Sequence, residues 1–79
     1  MNHEVLKSFR EAINQSKLTQ KQKLLARLSL VNPRIRDAIG EYITVLSNAQ
    51  ADKSLIEIIL EHLPEIIALI ELILKLLDD

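Results

Sequence analysis

Residues 55–77, LIEIILEHLPEIIALIELILKLL, are apolar at 16 of 23 positions, with one proline in the middle of the run. Ser54 followed by Glu57 forms a capping-box pattern that starts a helix there. At about 100° per residue, Glu57, Glu61, Glu65, Glu71, Lys75 and Asp78 fall within an arc of about 140°, although Leu72 intrudes on it. Acids on both sides of Pro64 share this phase, which predicts one long helix, kinked at the proline and roughly 35 Å in length. Its apolar arc spans about 220°, whereas a surface helix needs only about 100°.

An arc that broad must be covered. The three preceding helices could surround it in a monomer, or it could be covered from outside, by a second copy or in a groove on another protein. The second covering is the expectation, because the other helices must also bury one another and a 35 Å element outruns partners of these lengths. The chain is therefore expected to form a homo-oligomer, a dimer by default. Its seam would comprise Ile58, Ile59, Leu63, Ile66, Ile67, Ile70, Ile73, Leu74 and Leu77. These residues follow no sustained heptad, so the pattern does not set the number of strands.

The rest of the chain is also helical in pattern. Val5, Leu6, Phe9, Ala12 and Ile13 recur at three- and four-residue steps after Asn2, predicting a helix over 3–15. Thr19 with Gln22 forms a capping box ahead of a second helix. This one ends near Val31, and Leu24, Leu25, Leu28 and Val31 supply its apolar face. Asn32-Pro33 reads as an N-cap and first-turn proline for a third helix over 33–46, whose face is Ile35, Ala38, Ile39, Tyr42, Ile43 and Leu46. Gly40 lies within it, a sign of close packing. Residues 47–53 have linker character. The expected architecture is thus an all-α bundle: a basic three-helix region, 1–53, and an oligomerisation helix, 54–79, in one compact domain. With 79 residues, no cysteine, one glycine and two prolines, neither disulfides nor a turn-rich β fold is available. A single core of this size contributes about 3–5 kcal/mol.

Charge divides along the same line. Residues 1–53 hold nine Lys/Arg against five Asp/Glu, and 54–79 hold one Lys against six acids, so the halves are expected to attract. Lys17, Lys21, Lys23, Arg27, Arg34 and Arg36 occur within twenty residues with no acid between them. The partner site is expected on this basic and partly apolar surface, around Lys21, Lys23, Arg27, Arg34, Arg36 and Tyr42.

No catalytic or metal chemistry is expected. His3 and His62 are the only histidines; Glu61 and Glu65 beside His62 read as salt-bridging carboxylates rather than metal ligands, and no serine has a histidine–acid pattern around it. No cofactor is implied. The N-terminus lacks a secretory pattern, so a cytoplasmic location is expected. An acidic polar face disfavours a membrane surface. Protein contact is the expected mode of action, binding and modulating another protein as phage- or plasmid-type regulators and antirepressors do. The alternative is a dimeric DNA-binding regulator using 20–46 as a helix-turn-helix-like unit, although its second helix carries Asp37 and Glu41, which phosphate repels.

Overall fold

Caps and a proline set the element boundaries. The computed structural model describes residues 1–78, which form α1 (His3–Gln15), α2 (Gln20–Ser29), α3 (Pro33–Ala49), α4 (Leu55–Glu61) and α5 (Leu63–Leu77). The Asn2 side chain accepts from the Val5 amide at 2.8 Å. Thr19 and Gln22 complete a reciprocal capping box, and Asn32 accepts from the Arg34 and Ile35 amides with Pro33 in the first turn. Each cap satisfies donors that the first helical turn leaves without a partner. Ser54 accepts from the Glu57 amide, and its hydroxyl donates to the Glu57 carboxylate. α2 ends two residues short of Val31, whereas α3 runs three beyond Leu46, which shortens the linker to residues 50–54.

The long C-terminal helix divides in two. At His62 the backbone takes φ −109° and ψ 14°, off helical values, and its amide donates to both the Ile58 and Ile59 carbonyls at 3.2 Å. Pro64 has no amide to donate to the Leu60 carbonyl, and its ring crowds the preceding turn. The helix is interrupted where that hydrogen bond is lost, and α5 restarts with Pro64 in its first turn. The phase counted across the proline therefore does not describe one helix face.

That break sends the two apolar segments to different neighbours. α4 packs chiefly on α1, while α5 packs on α2 and α3, and α3 touches both. The resulting all-helical fold measures 39 × 23 × 20 Å. All five helices contribute to one core around Phe9, Ile13, Ala26, Ile35, Ile39, Ile43, Ile59, Ile66 and Ile70. Isoleucine dominates it, and the restricted χ1 of a β-branched side chain favours a single packing arrangement. On α3 the buried face is Ile35, Ile39, Gly40 and Ile43, with Tyr42 half-buried against the core. A Cβ on Gly40 would stand 3.0 Å from the Met1 Cβ, so close packing does explain this glycine. The Met1 amine reaches Asp37 at 3.3 Å.

Two outcomes are expected. Ile66→Ala should lower the unfolding free energy by about 2–5 kcal/mol, comparable to the stability of the whole domain; a loss below about 1 kcal/mol in urea denaturation would place Ile66 outside the core. Gly40→Ala should gain less than the roughly 1 kcal/mol that alanine normally adds within a helix, because the new methyl must displace Met1. Thermal denaturation of both variants checks the pair.

Candidate interaction surface

α2 turns its large apolar side chains outward. Ala26 and Ser29 are its buried residues, with Leu30 following at the cap, whereas Leu24, Leu28 and Val31 are 56%, 55% and 78% exposed. Leu24 and Leu28 each lie about 160° around the helix from Ala26. The face expected to be buried is therefore largely in solvent, and only Leu25 of that set packs partly against the core. The buried Ser29 hydroxyl is satisfied by donating to the Ala26 carbonyl at 2.5 Å. Ala26, Ser29 and Leu30 thus face inward, and two of the leucines of α2 are left in water.

α5 divides its apolar arc in a similar way. Leu63, Ile66, Ile67 and Ile70 are buried, but Leu72, Leu76 and Leu77 are 54%, 65% and 43% exposed. Leu72 and Leu76 lie about 160° and 120° around the helix from Ile70. Of the large apolar residues left exposed among those described, all but Val45 belong to α2 and its C-terminal turn or to the last turns of α5. Between these two helices runs a groove of ≈ 340 Å³ lined by Lys21, Gln22, Leu24, Leu25, Leu28 and Glu71. A second depression beyond it brings Val31, Pro33 and Arg34 to Leu77.

Most of the expected oligomerisation seam is consumed inside the chain. Ile58, Ile59, Leu63, Ile66, Ile67 and Ile70 are buried by its own helices, Ile73 and Leu74 are half-buried, and only Leu77 is exposed. The physical reason is the break at His62, which lets α4 and α5 each find an intramolecular neighbour. The residues that sequence reasoning passed over are Leu72, Leu76 and Glu71. Their signal was Leu72 intruding on the polar arc. For α2 it was a line of Ala26, Ser29 and Leu30 at three- and four-residue spacing opposite Leu24 and Leu28.

The expected partner residues do not form one patch. Lys21 borders the α2–α5 groove, and Arg34 lies beside Leu77. Arg27 points the other way, donating to the Asn14 side chain at 2.8 Å and lying near Arg10. Lys23 and Arg36 are half-exposed, and Tyr42 is spent partly on the core. The attraction expected between the two halves is realised at one point among the described residues, where Lys53 bonds both Glu61 carboxylate oxygens at 2.8 and 2.9 Å. That hydrogen bond raises the Lys53 pKa above its ordinary value. The other lysines and arginines have no carboxylate at ion-pair distance among the described residues.

Glu61 is thus directed to Lys53, and Glu65 stands 3.9 Å from His62 Nδ1. Among the described residues no three metal-ligating side chains converge, and no helix is long and apolar enough to cross a membrane. The outward line of α3 is Asp37, Glu41, Thr44 and Asn48, all exposed. Comparison with protein-family models, curated proteins and solved structures finds no match.

The outward rotation of α2 has a direct test. Leu24→Ser and Leu28→Ser should each change the unfolding free energy of the isolated chain by only about 0.5 kcal/mol, as exposed substitutions do. If α2 were turned with its leucines inward, each would cost about 2–5 kcal/mol in the same urea titration.

Proposed function

We propose that this chain is a small self-associating helical interaction module that binds another protein and sequesters or inhibits it, as phage- or plasmid-type regulators and antirepressors do. One observation carries the reading: α2 presents a leucine face to solvent although α2 is otherwise packed into the bundle. Burying a leucine is worth about 1.5–3 kcal/mol, so a helix that leaves Leu24 and Leu28 exposed forgoes stabilisation that only an external contact can supply. Exposed apolar groups of this kind mark interaction surfaces. Lysines and arginines without carboxylate partners around that surface fit an acidic protein and would speed its approach.

The mode of action is contact. Self-association uses the exposed apolar residues rather than the buried isoleucines, and the bases outside that contact, Arg36 among them, meet the partner, blocking whatever surface the partner would otherwise use. The same bases support the second reading, a dimeric DNA-binding regulator with α2 and α3 as a helix-turn-helix-like unit. It has less support, because the outward line of α3 carries Asp37 and Glu41.

The reversal Arg36→Glu should weaken capture of a protein partner that survives nuclease treatment, while the helical content and solution mass stay unchanged. Capture that vanishes with nuclease, combined with DNA affinity that falls steeply as salt is added, would replace the protein-contact reading by the DNA-binding one.

A further inference from the structure

We infer that the α2–α5 groove is a two-fold self-docking face, on which a second copy of the chain lays its own α2 and α5. This deepens the self-associating half of the function proposed above by naming its surface. The groove combines Leu24, Leu25 and Leu28 from α2 with Glu71 from α5, and a separate depression at the end of the same two helices sets Val31 and Arg34 beside Leu77. Its flanks carry opposite charge. Lys21 and Arg34 border the α2 side, and Glu71 borders the α5 side, whose helix is followed by the exposed Asp78. Lys75, one turn beyond Glu71 and about 40° further round, is exposed but lines neither depression.

None of Lys21, Arg34, Glu71 and Asp78 has an ion-pair partner among the described residues, although Lys21 and Glu71 line the same groove. A surface with bases on one flank and acids on the other becomes complementary to itself when turned by 180°: the Lys21 of each chain meets the Glu71 of the other. Such an isologous contact makes every favourable pairing twice. A foreign partner of uniform charge would meet one flank favourably and be repelled by the other. The acidic face therefore argues for a second copy in this groove and leaves Arg27 and Arg36, which do not line it, outside the contact.

The area is of the right order. Leu24, Leu28, Val31 and Leu77 are 43–78% exposed, which amounts to some ~400 Å² of mainly apolar surface before any polar rim is added. A stable interface buries about 800 Å² per partner, so these side chains supply the centre and the charged flanks the rim.

Sedimentation over about a hundredfold dilution tests the inference. The wild-type chain should run as a dimer that dissociates at the dilute end. Leu24→Glu/Leu28→Glu should run as a helical monomer. Lys21→Glu and Glu71→Lys should each weaken the dimer by at least about tenfold, and an equimolar mixture of these two variants should regain affinity to within about threefold of wild type. Only a contact between chains predicts recovery on mixing, since each reversed charge then meets the other chain's reversed charge. A wild-type monomer throughout would overturn both this inference and the self-association reading. A dimer indifferent to all the substitutions, or a mixture that fails to recover, would overturn the docking face alone and leave self-association standing.

Discussion

The rest of this structure depends on the hydrogen bond that Pro64 cannot make. Without an amide at position 64 the Leu60 carbonyl has no helical partner, and the chain breaks at His62, where one amide is shared between two carbonyls. A continuous helix of 23 residues would have extended about 35 Å and carried its apolar arc past any neighbour. Broken, it becomes a short helix against α1 and a longer one against α2 and α3. Ile58 and Ile59 on one side of the break, and Ile66 and Ile70 on the other, are all fully buried as a result.

Intramolecular burial on that scale changes where an external contact can form. The most apolar segment is mostly satisfied, and the unsatisfied surface moves to α2 and to the outer side of α5. α2 packs with Ala26, Ser29 and Leu30 inward, which leaves Leu24 and Leu28 without cover. A domain of 79 residues has little stability to spare, and a helix packed with its leucines outside is stabilised less than one packed with them inside. The contact proposed above would cover these leucines and supply the missing burial.

Local structure was legible where a side chain acts on its own backbone. Asn2, Thr19 with Gln22, Asn32-Pro33 and Ser54 start helices where the sequence pattern places them, because capping involves residues only two or three apart. The buried faces of α1 and α3 also followed from periodicity, since each has a single apolar stripe and hence one way to be buried. α2 and the 55–77 run were harder for the same physical reason: both offer more than one orientation. On α2, the Leu24/Leu28 line competes with the Ala26/Ser29/Leu30 line, and hydrophobicity favours the first while close packing against neighbours selects the second. In the C-terminal run nearly every rotation buries something apolar, so periodicity could not choose, and the carboxylate phase across Pro64 suggested a continuity that the backbone does not have.

The expected partner residues illustrate a further limit. Lys21, Lys23, Arg27, Arg34 and Arg36 are close in sequence, but successive helical residues are turned by about 100°, so a run of charge spreads around the element instead of forming a patch. Arg27 reaches Asn14 on one side of the bundle, while Lys21 borders the α2–α5 groove on another. The sequence by itself determined that the chain is helical, where four of its five helices begin, and that charge is divided between its two parts. These properties depend on covalent geometry, local hydrogen bonding and composition. Only the tertiary structure decided which leucines are covered, which isoleucines are spent in the core and which charges flank a common groove, because each depends on how one helix is rotated against several others at once.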